Sequence, residues 1–268
     1  MTVIQAFILG IVQGLAEFLP ISSSGHLVML QKLFGIDEGG LTFDIAVHLA
    51  TLAAVIVVYK KDILEILKRP FGKLPLLIVA GTIPTAIIGF LFKDIFESVY
   101  ASGITLGFGF IVTGLVLWYA DSIKTKNKSL KEANTLDAVV VGIAQGIAIL
   151  PAVSRSGLTI SGALFRGLNR EFALKFSFLM SIPAILGAAV LDIYDLVKAP
   201  GNLQLSIGIP SILVGMAAAA VSGYFAVKFM INILKKGKIK VFSYYVFALG
   251  ALVLIDQIFF GRFFGKMF

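Results

Sequence analysis

The chain contains no cysteine. That excludes disulfides, thiolate metal sites and cysteine nucleophiles, and leaves the redox compartment unreadable. Charge is scarce as well: 14% of the 268 residues are charged, against about 25% in average soluble domains. There are two histidines and one tryptophan. With 58% hydrophobic residues and a mean hydropathy of +0.97, several apolar runs approach the roughly 20 residues needed to cross a bilayer. The composition predicts an all-α integral membrane protein. The first apolar run has no basic segment before it, holds Gln13 and Glu17, and lacks a small-residue cleavage pattern, so it does not read as a cleaved signal peptide.

Apolar spans are predicted at 42–59, 76–92, 104–120, 172–191, 207–227 and 241–260. The net charge of +8 would suggest nucleic acid in a soluble protein, but here placement decides. The loops 60–73, 121–131 and 228–240, with Arg166 and Arg170, hold 16 of the 23 lysines and arginines. All fall on one side if there are six crossings and the stretches 1–41 and 132–171 do not cross. The positive-inside rule makes that side the cytoplasm and puts both termini outside. Arg262 and Lys266 are then on the disfavoured side, a minor cost. No nucleic-acid partner is expected.

An internal repeat organises the chain. Shifting by 132 aligns 5–25 with 137–157 without a gap, and nine of the 21 positions are identical. The offset then drifts to about 134, pairing Gly103 with Gly237 and Phe108 with Phe242. The expectation is one membrane domain, 1–268, with repeat one at 1–131 and repeat two at 132–268. Each repeat has a re-entrant helix pair (3–34 and 135–166) followed by three spans. Three is odd, so the second copy enters from the opposite side. That is an inverted-topology repeat, an architecture that places sites at the repeat interface.

Each re-entrant stretch is broken by proline, Pro20 or Pro151, which disfavours helix at the residue before it. Serines follow: Ser22, Ser23 and Ser24 in one copy, Ser154 and Ser156 in the other. Any of them can cap a second half-helix, whose N-terminus suits phosphate. The differences between the copies carry the chemistry. Glu17 aligns with Ile149, Ser23 with Arg155 and His26 with Leu158. Arg155 can grip phosphate oxygens and stabilise charge developing on them. Ser23 or His26 can be the nucleophile, with an imidazole or carboxylate handling protons. Glu17 can instead hold a divalent cation that bridges a pyrophosphate. Intramembrane Glu17 and Arg155 are functional by default, with a structural ion pair as the alternative. Asp44 and His48 form a candidate second polar cluster with a structural or gating role. Gln13 and Gln145 are expected to bond backbone at the helix breaks, and Pro84, Pro183 and Pro210 to kink their spans.

Two motifs resemble the undecaprenyl-diphosphatase family, the bacterial bacitracin-resistance proteins. One is Gln13-Gly14-Leu15-Ala16-Glu17-Phe18-Leu19-Pro20-Ile21-Ser22-Ser23-Ser24-Gly25-His26, the other Pro151-Ala152-Val153-Ser154-Arg155-Ser156-Gly157. Phe43-Asp44-Ile45-Ala46-Val47-His48-Leu49 and Phe176-Ser177-Phe178-Leu179 extend the likeness over the chain. The resemblance implies a plasma-membrane hydrolase acting on a polyprenyl diphosphate lipid. It would release undecaprenyl phosphate and inorganic phosphate, recycle the carrier of peptidoglycan synthesis and confer bacitracin resistance. It also implies an outward-facing site and a divalent cation, Mg2+ or Ca2+. Its catalytic residues map onto Glu17, Ser23, His26 and Arg155, and its metal-binding acidic motif onto Gln13 and Glu17. Ser22, Ser24, Ser154 and Ser156 are read as phosphate-binding. Many members carry glutamate where this chain has Gln13, and glycine is common where it has Ala152. The competing class is an inverted-repeat transporter or flippase of a polyprenyl phosphate lipid. A lipid phosphate phosphatase is rejected, because Ser24-Gly25-His26 matches that type but no histidine follows Arg155. Nothing in the residues sets the oligomeric state; a homodimer is the arrangement to test.

Overall fold

A computed structural model of the chain describes residues 1–36, 40–123, 127–198, 207–261 and 263–264. Lys124, Lys126, Arg262 and Lys266, and residues 37–39 of the first polar link, lie outside the described residues. The first half contains α1 (Val3–Phe18), α2 (Ser23–Leu33), α3 (Gly40–Val58), α4 (Lys60–Lys68), α5 (Lys73–Leu91), α6 (Lys93–Ser102) and α7 (Leu106–Ser122). The second contains α8 (Thr135–Ile147), α9 (Arg155–Phe165), α10 (Arg170–Lys198), α11 (Ile209–Lys235) and α12 (Lys240–Ile255), the last continued by a π-helical turn, Asp256–Phe260.

The two short helix pairs, α1–α2 and α8–α9, close in the same way. Thr2 and Gln5 form a capping box at the start of α1, and Asn134 and Asp137 form one at the start of α8. The third helical residue then reaches the end of the paired helix. Gln5 Nε2 donates to the Phe34 carbonyl oxygen at 3.5 Å, and Arg166 Nε donates to Asp137 at 2.9 Å. Lys128 also pairs with Asp137. Each short helix pair thus begins and ends at one place, as a helical hairpin. Gly35 and Gly167 leave the hairpins at φ 65° and 79°, while Gly103 and Gly237 precede α7 and α12 at 65° and 71°. Both glycine pairs keep the repeat spacing, because these turns need the left-handed region that glycine enters without penalty.

Among the described residues, five helices are long and apolar enough to cross a membrane: α3, α5, α10, α11 and α12 with its π turn. The sixth expected span corresponds to α7, an apolar helix of 17 residues, about 26 Å long at 1.5 Å per residue. Several stretches expected as loop are helical. Residues 60–68 form α4 and 93–102 form α6, while α10 continues to Lys198 and α11 to Lys235. In α4, charged Lys60, Lys61, Asp62, Glu65 and Lys68 alternate with Ile63, Leu64, Ile66 and Leu67, and no residue is buried. A short polar-and-apolar helix of that kind suits a membrane surface; basic composition alone does not distinguish it from loop. Pro84 and Pro183 lie within α5 and α10, but Pro210 occupies the first turn of α11 rather than its interior. There its missing N–H costs nothing.

The halves interlock by exchange. Hairpin helix α1 packs along α11 of the other half, and α8 along α5. A Cβ added at Gly10 would collide with the Gly215 carbonyl, and one at Gly142 with the Gly81 carbonyl. Gly10 and Gly142 are repeat partners, as are Gly81 and Gly215. Lipid offers helices no hydrophobic drive to associate, so backbone-to-backbone contact through small residues supplies the attraction. Gly142→Ala is therefore expected to destabilise the protein by about 1–3 kcal/mol, measured as a lower melting temperature in detergent. Helices α7 and α12, equivalent in the repeat, run antiparallel. Gly107 meets Leu254, Gly114 meets Phe247, and Lys240 Nζ sits 3.5 Å above the Trp118 ring centroid.

Candidate active site

The breaks in the two hairpins abut each other. A Cβ added at Gly25, in the first turn of α2, would lie 3.0 Å from Ala152 Cβ. One at Gly157, in the first turn of α9, would lie 3.4 Å from Pro20 Cβ. Ser156 Oγ donates to the Leu19 carbonyl across this junction at 3.0 Å. Thr113 of α7 holds the second break, accepting from Ser154 N at 3.0 Å. Ser22 and Ser154 are the caps: Gly25 N donates to Ser22 Oγ at 3.3 Å and Gly157 N to Ser154 Oγ at 3.1 Å. Ser24 Oγ lies 3.3 Å from Ser22 Oγ, and Ser156 Oγ 3.3 Å from Ser154 Oγ. Ser22 and Ala152 take positive φ, 70° and 61°, strain of the kind stored where surrounding structure over-determines a turn. Two helix N-termini are thereby brought together, and their first-turn N–H groups form an anion-binding environment.

Glu17 sits at the centre. Its side chain is 5% exposed and both oxygens are engaged. Oε1 accepts from Arg155 Nη2 at 2.7 Å. Oε2 accepts from Ser23 Oγ at 2.6 Å and from Gln13 Nε2 at 3.0 Å. His48 Nε2 lies 3.5 Å from the same oxygen. Two buried atoms of this cluster, Gln13 Oε1 and Arg155 Nη1, have no hydrogen-bond partner among the described residues. A buried polar atom without a partner is costly, so a substrate or ion that engaged either would be favoured.

His26 is held differently. Its Nδ1 is 2.7 Å from the Ser22 carbonyl oxygen and its Nε2 is 2.7 Å from Tyr245 Oη. Its ring stacks on Tyr245 and meets Phe110 edge-on. The structure therefore brings Gln13, Glu17, Ser23 and Arg155 into one bonded cluster, and places His26 beside it with its ring nitrogens on other partners.

The bacitracin resistance protein BacA family model matches residues 6–252. The chain belongs to the BacA family. An undecaprenyl-diphosphatase of Carboxydothermus hydrogenoformans is 60% identical over 253 residues, covering 94% of this chain and 97% of its own. Undecaprenyl-diphosphatase 3 of Bacillus cereus is 49% identical over 254 residues, 95% and 97% of the two chains. That of Halothermothrix orenii is 43% identical over 257 residues, covering 95% and 98%.

Five residues of this BacA-family chain stand where sequence reasoning did not put them. Asp44 and His48 do not pair through their side chains. Asp44 accepts from Gln31 Nε2 at 2.7 Å, while His48 Nδ1 lies 2.7 Å from the Asp44 backbone oxygen, turning Nε2 toward Glu17. The available signal was that 44–58 is helical, with the histidine inside a span. Tyr245, one of seven tyrosines, carries no local signal at all. The glutamines bond side chains rather than backbone: Gln13 bonds Glu17, and Gln145 Nε2 donates to Thr85 Oγ1 at 3.3 Å. A residue one helical turn from a carboxylate finds it more readily than a carbonyl already used by the helix.

The oxygen donors at the site bear on a divalent cation. Among the described residues no three histidines or carboxylates cluster. The site offers one carboxylate, Glu17, and the uncommitted amide oxygen of Gln13. These hard oxygens fit Mg2+ or Ca2+ shared with a diphosphate, since Mg2+ is commonly bound by one or two carboxylates plus substrate phosphates.

Proposed function

We propose that this BacA-family protein hydrolyses undecaprenyl diphosphate to undecaprenyl phosphate and inorganic phosphate, an activity for which its relatives are named. In the cell this recycles the lipid carrier of peptidoglycan synthesis and confers bacitracin resistance, in keeping with the family's description. The observation that carries the chemistry is the 2.6 Å bond from Ser23 Oγ to Glu17 Oε2, with Arg155 on the other carboxylate oxygen. A nucleophile, its base and the group that orients the base are all in hydrogen-bond reach.

In the proposed reaction the terminal phosphate lies between the N-termini of α2 and α9. Arg155 Nη1, the hydroxyls of Ser22, Ser24, Ser154 and Ser156, and first-turn N–H groups surround its oxygens. Ser23 Oγ attacks the terminal phosphorus while its proton passes to Glu17. The Oγ–P bond forms, the anhydride P–O bond breaks, and undecaprenyl phosphate leaves. Glu17 releases that proton to solvent and takes another from an attacking water. It returns this one to Ser23 Oγ as the Oγ–P bond breaks, giving inorganic phosphate and one net proton per turnover. His26, three residues beyond Ser23 on α2, passes the proton that Glu17 releases on toward solvent through Nε2. Glu17 and Gln13 would hold a divalent cation, Mg2+ or Ca2+, which when bound would offset the negative charge of the diphosphate.

The proposed topology is an inverted repeat, 1–131 and 132–268, with six crossings counting α7, the basic loops in the cytoplasm, and both termini and the site facing outside. The antiparallel α7–α12 pair and the exchanged hairpins support it. The proposed assembly is a homodimer, tested by mass measurement in detergent. The transporter reading draws nothing from relatives named for a hydrolase.

The test is phosphate release from undecaprenyl diphosphate by purified protein in detergent. Release is expected to stop in excess EDTA and return with Mg2+ or Ca2+. Full release in EDTA would remove the cation from the reaction, and no release under any condition would overturn the hydrolase.

A further inference from the structure

We propose that Tyr245 is a positioning residue for His26: the Ser22 carbonyl fixes the tautomer, and the Tyr245 hydroxyl and ring hold the imidazole in place at Nε2, its proton-exchanging atom. The inference rests on the reading that the site is a phosphatase in which His26 handles protons. The Ser22 carbonyl, 2.7 Å from Nδ1, can only accept, so Nδ1 carries a proton whether the ring is neutral or charged. Nε2 is then the one ring atom able to gain or lose a proton, and it faces Tyr245 Oη at 2.7 Å. A phenol hydroxyl both donates and accepts. It donates to the neutral ring; when a proton from solvent reaches Oη, the phenol's own proton passes to Nε2 and Oη then accepts from the imidazolium, so the bond persists with its direction reversed.

The packing supports the same role. The two rings lie within 11° of parallel, with centroids 5.7 Å apart, and Phe110 closes the edge of the imidazole. The groups against His26 come from three elements: the Ser22 carbonyl at the start of α2, Phe110 on α7 and Tyr245 on α12. None of them is charged. Tyr245 belongs to the second half of the chain, while His26 and Ser23 belong to the first, so the second half supplies a positioning group as well as Arg155.

Tyr245→Phe keeps the ring stack and removes the hydroxyl. The expected result is a fall in kcat of about tenfold, the worth of one hydrogen bond, with KM unchanged. A tyrosine fluorinated beside its hydroxyl at position 245 keeps the bond and is expected to restore turnover. Nitrogen-15 spectra of histidine-labelled protein give a readout independent of activity, because the chain has two histidines. His26→Gln identifies which imidazole is which. Tyr245→Phe is expected to shift the His26 Nε2 resonance and leave His48 in place, the second observation showing that the fold is intact. An unshifted His26 resonance overturns the proposal, as does normal kcat in Tyr245→Phe when His26→Gln is impaired. Normal turnover in both variants instead overturns the reading that His26 handles protons, and the proposal falls with it.

Discussion

Arg155→Ala is expected to lower kcat for phosphate release by about 10²–10³-fold, the usual effect of removing a group that stabilises developing charge. The same substitution strips Glu17 of its partner at 2.7 Å. Breaking a buried ion pair by removing one member costs about 3–5 kcal/mol. The lower end is expected here, because Ser23 Oγ and Gln13 Nε2 still donate to the carboxylate at 2.6 and 3.0 Å. Loss of activity alone would therefore not separate a catalytic arginine from a structural one. Replacing both members, Glu17→Gln with Arg155→Met, removes the buried charges together and is expected to restore most of the thermal stability without restoring turnover. Wild-type turnover in Arg155→Ala would sink the proposed role, and a stable but inactive double variant would assign the pair to the chemistry.

Ser23→Ala is expected to reduce phosphate release by at least about 10³-fold, leaving what substrate binding and the two N-termini achieve without a nucleophile. The decisive measurement is acid-quenched enzyme after brief exposure to a prenyl diphosphate labelled on its terminal phosphate. The wild type is expected to carry label on Ser23, and Ser23→Ala none. Label that persists in Ser23→Ala and disappears in His26→Ala would move the nucleophile to His26. The geometry favours serine, since Ser23 Oγ has a carboxylate at 2.6 Å while both ring nitrogens of His26 are engaged elsewhere.

The hairpin that carries Glu17 and Ser23 was legible because its determinants are local. Pro20 ends one helix, Ser22 begins the next, and the structure stops α1 at Phe18 and starts α2 at Ser23. The same logic holds at Pro151 and Ser154, where α9 begins at Arg155. Helices α4 and α6 were less legible. Their charged residues resemble those of loops, and what makes them helical is a mixed surface with one apolar side, a weaker pattern than a full apolar span.

His48 and Tyr245 show where local reading ends. Each reaches the site from a distant helix. For His48, a backbone bond within its own helix decides which nitrogen faces Glu17. For Tyr245, only the approach of α12 to α2 makes one of seven tyrosines a partner of His26. Composition determines that this is an integral membrane protein, and the 132-residue offset relates 5–25 to 137–157 in sequence. They also show that the copies divide acid, hydroxyl and imidazole from arginine. The tertiary structure alone decides which of those groups touch. The reason is physical: contact across the site depends on how closely backbones approach at Gly10–Gly215 and Gly142–Gly81. That approach is a property of two packed helices and is encoded by neither alone.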